Sequence, residues 1–189
     1  KIVEDTLSTI KSSGQDGNLK NIKGDLFEFL MYPVLPKIFA NYSILHGKKL
    51  SNPSTKEGYE YDFIVNSPDH NETTVIELKG YLSTAKIPLG DNDKKNTASW
   101  FFGKTFPFAK KILSTQLGNP KVTGCYITSA GFQDDAKKHM ESLNGGKIKP
   151  REMDTWYDRE KLLKLLEEKG LKKVKTLIER YYQKDEEES

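Results

Sequence analysis

Two neighbouring stretches of the chain carry the residue pattern of β-strands. Residues 58–65 (GYEYDFIV) and 73–80 (TTVIELKG) are rich in β-branched and aromatic side chains. The residues that separate them, 66–72 (NSPDHNE), have the composition of a turn. We therefore predict a β-hairpin over residues 59–80.

The rest of the chain alternates between helical and strand patterns. Apolar residues recur at helical spacing over 19–39, where Pro33 and Pro36 are expected to break the helix. Further helices are predicted at 100–117 (interrupted near Pro107), 134–143, 158–170 and 171–181. Further strands are predicted at 42–46, 121–128 (central) and 147–156 (edge), a short helix and loop at 1–18, and a loop at 82–98. This order predicts an α/β fold with helices flanking a mixed central sheet, plus C-terminal helices.

The length of 189 residues suits one domain. We expect a core over 1–150, with 1–18 as a helical lead-in, and a C-terminal helical extension, 151–189, packed on the same domain. The sequence shows no signal peptide. It begins at Lys1 rather than Met, and we therefore expect a piece of a longer protein.

The composition limits the classes of protein that the chain can belong to. No apolar run approaches the roughly 20 residues of a membrane span, so no membrane partner is expected. The single cysteine, Cys125, excludes a disulfide framework and a multi-cysteine zinc site, and it fits a reducing, cytoplasmic setting. A net charge of +3 permits nucleic-acid binding without requiring it.

Three charged residues, Asp62, Glu77 and Lys79, lie inside the predicted hairpin strands. Strand alternation puts Glu77 and Lys79 on the face of Val75, and antiparallel pairing can bring Asp62 beside Glu77. Two carboxylates can hold a hard cation, and a lysine can stabilise an attacking hydroxide or a phosphorane. The pattern therefore indicates metal-assisted phosphodiester hydrolysis.

Asp62, followed on the next strand by the run 77–79 (ELK), resembles the motif of the PD-(D/E)XK nuclease superfamily, which has the restriction-endonuclease-like fold. Tyr61 stands where the family motif has a proline that is not a ligand. The resemblance implies an αβββαβ core, and the predicted elements have that order over residues 19–130. It also implies a DNA endonuclease that uses Mg²⁺ or Mn²⁺.

The resemblance assigns a role to each residue of the motif. Asp62, Glu77 and the backbone carbonyl of Leu78 are the expected metal ligands, and Lys79 is expected beside the nucleophilic water. The alternative is a cross-strand surface network in which Lys79 neutralises Glu77 with little effect on stability.

Family members often carry a further acid on the first core helix. Glu28 occupies that place and is the fourth expected catalytic and metal-binding residue, with Asp25 as the competing choice one turn earlier. Glu60 shares a strand face with Asp62 and is expected at the surface. The runs 76–81 (IELKGY) and 100–105 (WFFGKT) are similar to restriction- and immunity-type effector nucleases.

Basic and aromatic residues are interleaved after the hairpin, a pattern that can grip phosphates and stack on bases. Lys104, Lys110 and Lys111 are the expected nucleic-acid contacts, whereas Phe101 and Phe102 are expected in the core. The three histidines, at 46, 70 and 139, lack the partner spacing of a zinc site.

Three hypotheses remain at this point. The first is a metal-dependent endonuclease acting on double-stranded DNA in restriction, antiphage defence or DNA processing. The second is a catalytically inactive module of the same fold that binds nucleic acid or a partner protein within a larger assembly. The third is a structural or dimerisation domain of a larger assembly, which the start at Lys1 and the C-terminal helices suggest. A homodimer or a fusion to a larger regulatory protein is the expected partner.

Overall fold

A mixed five-stranded sheet forms the centre of the computed structural model, which describes residues 17–81, 86–88, 97–118, 121–143 and 154–181. Its strands lie in the order β1-β2-β3-β5-β7. The bounds are β1 Ser43–Ser51, β2 Gly58–Asn66, β3 Glu72–Lys79, β5 Lys121–Thr128 and β7 Trp156–Tyr157. Two short strands, β4 (Lys86–Ile87) and β6 (Gly131–Phe132), pair in parallel in a second, two-stranded sheet.

The predicted hairpin is confirmed. Strands β1, β2 and β3 form an antiparallel meander, in which Phe63 lies opposite Ile76. Strand β5 lies inside the sheet between β3 and β7, as its apolar sequence predicted. It runs parallel to both neighbours. The observed architecture is the predicted α/β class, with a mixed sheet flanked by helices.

The helices follow the predicted pattern, with breaks near the prolines. Helix α1 (Gly17–Met31) is followed by a turn and by α2 (Leu35–Ile38), which has Pro36 in its first turn. Helix α3 (Ala98–Trp100) continues through a π-helical segment, Phe101–Thr105, into α4 (Phe106–Gln116). The remaining helices are α5 (Asp134–Leu143), α6 (Arg159–Glu168) and α7 (Lys172–Tyr181).

Some predicted boundaries were wrong. Gly17 and Asn18, expected in a loop, begin α1, and β1 runs to Ser51 rather than stopping at His46. The short strand β4 lies within the loop predicted at 82–98 because it pairs with β6, a long-range partner that local composition does not show. Residues 1–16 of the short helix and loop predicted at 1–18, most of the loop at 82–98 and the first part of the edge strand at 147–156 lie outside the described residues.

Both faces of the sheet are covered by helices. On one face lies the α1 core: Phe27, Leu30, Met31, Val34, Leu35, Phe39, Phe63, Val65, Ile76, Leu78, Cys125, Ile127, Tyr157, Leu162, Leu165, Leu166, Val174 and Ile178. On the other lies the α4 core: Leu50, Tyr61, Ile64, Val75, Ile87, Ala98, Phe101, Ala109, Ile112, Leu113, Val122, Tyr126, Ala130, Phe132, Ala136, Met140 and Trp156. Burying each large apolar side chain contributes roughly 1.5–3 kcal/mol, so the two cores hold the sheet from both sides. None of the described helices is both long and apolar enough to cross a membrane.

Gly47 interrupts the regular geometry of the β1–β2 pair. It lies between the pairs His46–Phe63 and Lys48–Tyr61, so the register places it opposite Asp62, and its φ is +58°. Residues two apart on a strand ordinarily share a face, yet Tyr61 lies in the α4 core and Phe63 in the α1 core. The strand pair therefore turns over at this position, which leaves Asp62 between two buried aromatic residues.

We predict that Gly47→Ala destabilises the protein by about 1–2 kcal/mol, the usual penalty for a left-handed conformation at a residue with a Cβ. Gly24→Ala is the matched control, because Gly24 lies inside α1 and an added Cβ meets nothing within 4 Å. That control should stabilise the protein by roughly 0.5–1 kcal/mol. Urea unfolding of both variants measures the two effects, and equal effects of the same sign would contradict the role of Gly47.

Candidate active site

Strands β2 and β3 separate just beyond the Phe63–Ile76 pair, and Asp62 fills the opening. Continuing the register would place Tyr61 opposite Leu78, but the Leu78 N–H instead donates to the Asp62 carboxylate, with 2.6 Å between N and Oδ2. The Leu78 N–H, which would otherwise bond to the backbone of β2, is therefore bonded to the Asp62 carboxylate. This bond holds Asp62 against the end of β3.

The Leu78 carbonyl faces the same opening. In a strand, the N–H and C=O of one residue point to the same edge, while its neighbours point to the other. The neighbouring Lys79 carbonyl indeed accepts from Ser129 N at 3.2 Å, on the β5 side. Leu78 therefore presents both backbone groups towards Asp62, where the sequence predicted a carbonyl ligand.

Glu77 and Lys79 form an ion pair beside this opening. Lys79 Nζ lies 2.6 Å from Glu77 Oε1, and the two side chains are only 17% and 16% exposed. By strand alternation, both side chains lie on the face of the sheet that carries the α4 core (the α4 face), together with Val75. A pair this buried is screened far less by solvent and salt than a surface pair. The predicted three residues of the motif are thus in one place, and Lys79 neutralises Glu77 as the alternative interpretation expected.

The site carries more negative than positive charge. Burial first, and then the Glu77 charge, raise the pKa of Asp62 to about 7, although Lys79 and the Leu78 N–H act to lower it. Burial lowers the pKa of Lys79, but the Glu77 and Asp62 charges outweigh it, so the net shift is upward and the lysine stays charged. Two carboxylates facing one ammonium favour the arrival of another cation.

Glu28 lies on the opposite face of the sheet and has its own partner. Its Oε2 is 3.0 Å from Nε2 of His46, an exposed residue of β1. The Glu28 charge nevertheless contributes to the raised pKa of Asp62. Asp25, the competing choice, is exposed on α1.

His46 is the residue that sequence reasoning missed. Its spacing in the sequence indicates no zinc-site partner, but in the fold its ring centre lies 4.9 Å from that of Phe63 and 6.3 Å from that of Tyr32. It also lies one register position from Asp62. The only sequence signal was its place in a predicted strand next to the hairpin, since the contact with Glu28 depends on how α1 packs.

The donors at the opening fit a hard divalent cation. Among the described residues, no group of three or more histidine, cysteine, aspartate or glutamate side chains is arranged to hold a metal ion. Mg²⁺ does not need such a group, because it commonly keeps several waters and takes one or two carboxylates with a substrate phosphate. Asp62, Glu77 and the Leu78 carbonyl supply a set of that kind.

The predicted nucleic-acid contacts lie on the helix that covers the α4 face. Lys104 is exposed in the π-helical segment, with Nζ 4.2 Å from the centre of the Trp100 ring, and Lys110 and Lys111 are exposed on α4. The segment is tied to the site, because Tyr61 Oη donates to the Thr105 carbonyl at 2.7 Å. The expected core positions of the two phenylalanines are confirmed: Phe101 is buried, and Phe102 packs partly buried against the α4 core.

A groove of about 490 Å³ lies elsewhere on the molecule and shares no residue with the hairpin. Its lining comes from β4, β6, α5, α6 and the residue before α6: Lys86, Gly131, Phe132, Asp134, Lys137, Asp158, Arg159, Glu160 and Leu163. It mixes both signs of charge and does not include Asp62, Glu77 or Lys79. We therefore place the candidate chemistry at the hairpin rather than in this groove.

No family model matches the chain, and no curated protein matches it in sequence. Among solved structures, it is similar to Can2 from Sulfobacillus thermosulfidooxidans in complex with cyclic tetra-adenylate, at 16% identity and a TM-score of 0.47, over 93% of this chain and 46% of that one. It is also similar to a repair endonuclease from Pyrococcus abyssi, at 15% identity and a TM-score of 0.39, over 78% of this chain and 48% of that one. The chain thus spans about half the length of these structures, and the function proposed below rests on the site itself.

We predict that Asp62 contributes stability to the metal-free protein below about pH 4, and that this contribution is lost as the pH rises through about 7. The folded protein binds this proton more tightly than the unfolded chain, whose pKa is near the ordinary 3.8, so ionisation of Asp62 favours unfolding. Asp62→Asn can still accept the Leu78 N–H and should remove this part of the pH dependence, as measured by urea unfolding in EDTA.

Asp69→Asn is the control of opposite sign. Hydrogen bonds from Ser67 and Asn71 lower the pKa of Asp69, so its contribution to stability is present at neutral pH and is lost as the pH falls. If Asp62→Asn and wild type lose stability in parallel between pH 4 and 7, the Asp62 carboxyl is not the group that titrates.

Proposed function

We propose that the protein is a metal-dependent nuclease that hydrolyses phosphodiester bonds of DNA. The observation that supports this function is the convergence of Asp62, Glu77 and Lys79 where β2 and β3 separate, with the Leu78 carbonyl on the same edge. A catalytic role explains two costs to stability at this point. The β2–β3 pair loses a regular backbone hydrogen bond, and the Asp62 carboxylate lies where its ionisation is unfavourable.

Asp62, Glu77 and the Leu78 carbonyl would hold Mg²⁺ or Mn²⁺, with Glu28 contributing through water. Bound there, the cation would polarise the scissile phosphate and lower the pKa of a water molecule. Asp62 accepts the Leu78 N–H with one oxygen, which orients the carboxylate. The buried walls formed by Tyr61 and Phe63 limit solvent around it and strengthen each charge interaction.

Lys79 would act on the reacting phosphate. A water molecule that has released one proton to solvent forms a bond from its oxygen to phosphorus, the bond to the leaving sugar oxygen breaks, and that oxygen takes up a proton from solvent. Lys79 Nζ would stabilise the charge that develops on the phosphoryl oxygens. This role requires the lysine to separate from Glu77, which a substrate phosphate favours by offering it another anion.

Exposed lysines would bind the phosphates of the DNA backbone and position it at the site. Lys104, Lys110 and Lys111 lie on the π-helical segment and α4, and each can neutralise one phosphate. Contacts of this kind fix the position of a duplex without reading its sequence. We place the activity in restriction, antiphage defence or DNA processing, with a second copy of the chain or a fused regulatory domain as partner.

The closed Lys79–Glu77 pair also favours a second candidate function. If the lysine never leaves the glutamate, the fold is a catalytically inactive module that binds nucleic acid or a partner protein. Exposed lysines serve that function equally well, so only an activity measurement separates the two candidates.

We predict that a supercoiled plasmid is nicked or cut in Mg²⁺ or Mn²⁺ and stays intact in EDTA. Asp62→Asn and Glu77→Gln should abolish cutting and keep cooperative unfolding, because each removes charge from the site rather than volume from a core. Glu28→Gln and Asp25→Asn form a matched pair on α1, and only the former should slow cutting. Full activity of wild type in EDTA would exclude the metal mechanism.

We predict that Lys79→Ala slows single-turnover cutting at saturating DNA by roughly 100-fold or more, the effect of removing one charge-stabilising group. Its DNA affinity should change little. Lys104→Ala should show the reverse: weaker binding, a log–log salt slope smaller by about 0.9, and near-normal cutting at saturation. If Lys79→Ala cuts saturating DNA at the normal rate, Lys79 contributes only to DNA binding and does not stabilise the transition state.

A further inference from the structure

Tyr126 lies in the middle of β5, directly beside Glu77. The two residues are register partners in the parallel β3–β5 pair. Strand alternation places both on the α4 face, where Val75 and Val122 also lie. Tyr126 is fully buried, and its ring lies 6.0 Å from that of Phe101.

The Tyr126 hydroxyl has no hydrogen-bond partner among the residues that the structure describes. A buried hydroxyl without a partner opposes folding, and most buried polar atoms are paired. Two other buried tyrosines follow that rule: Tyr61 donates to the Thr105 carbonyl at 2.7 Å, and Tyr157 accepts from Asp154 N at 2.9 Å. Tyr126 departs from the rule beside the candidate site.

The surroundings of Tyr126 keep its hydroxyl protonated. Burial raises the pKa of Tyr126 well above its ordinary value, and the charges of Tyr81, Glu77 and Asp62 raise it further. The group is therefore a hydrogen-bond donor at neutral pH, within electrostatic range of the site's carboxylates. Along the register its nearest carboxylate is that of Glu77, whose Oε1 lies 2.6 Å from Lys79 Nζ.

We propose that Tyr126 is a positioning residue whose hydroxyl donates to the Glu77 carboxylate once Lys79 separates from it. The inference rests on the proposed function, because that function requires the separation. When Lys79 moves to the phosphate, Glu77 loses its partner and needs another group to hold its orientation. Carboxylates that bind metals are themselves hydrogen-bonded, and losing such a partner typically weakens metal affinity or activity 10- to 100-fold.

The test compares wild type with Tyr126→Phe, and uses Tyr157→Phe as the matched control. In EDTA, Tyr126→Phe should have a urea midpoint equal to or higher than that of wild type, since it removes an unpaired hydroxyl and keeps the ring. Tyr157→Phe should have a lower midpoint, because it deprives Asp154 N of its acceptor. A midpoint of Tyr126→Phe below that of wild type would show that the fold already pairs this hydroxyl, and would overturn the inference.

The second readout is the metal dependence of thermal stability and of plasmid cutting. Mn²⁺ should raise the thermal midpoint of wild type, and Tyr126→Phe should need about 10- to 100-fold more Mn²⁺ for the same rise. The Mg²⁺ concentration for half-maximal cutting should shift likewise, while Tyr157→Phe keeps the wild-type value. If wild type responds to metal and Tyr126→Phe needs the same metal concentrations as wild type, the inference about Tyr126 is overturned. The proposed function is unaffected by that result. A wild type that neither binds metal nor cuts overturns both.

Discussion

The hydrogen bond from Leu78 N to the Asp62 carboxylate is the interaction on which the candidate site depends. It replaces a backbone pair between β2 and β3, so the strands can separate while the Leu78 N–H keeps an acceptor. An unpaired buried N–H would cost roughly 1–3 kcal/mol, which explains why the opening occurs where a carboxylate is available. The same bond holds the Asp62 carboxylate close to the backbone of Leu78 and of the preceding residue, Glu77.

The packing on both faces makes this opening rigid. Tyr61 and Phe63 are buried in different cores, so Asp62 is fixed between two large aromatic anchors on the same strand. Gly47 allows this geometry, because its positive φ lets the β1–β2 pair turn over where a residue with a Cβ would be strained. On the far side, parallel pairing with β5 holds β3 along its whole length. A site between strands held this firmly loses little freedom when a ligand binds.

Charge imbalance gives the site its chemical character. Lys79 balances one carboxylate, and the second is left in a poorly solvated position with a pKa near 7. Such a group is unfavourable for folding, and perturbed carboxylates of this kind concentrate at functional sites. Glu28 adds to the imbalance from the other face, where its carboxylate is hydrogen-bonded to His46.

The sequence by itself determined the hairpin, the order of helices and strands, and the grouping of Asp62, Glu77 and Lys79, because each follows from local composition and the two-residue period of a strand. The short pair β4–β6, the extension of β1 to Ser51 and the contact of Glu28 with His46 were decided by tertiary structure. So were the bond between Asp62 and Leu78 N and the placement of Tyr126 beside Glu77. Each of these joins segments distant in the chain, and burial, pKa and hydrogen-bond partners arise only when packing brings such segments together.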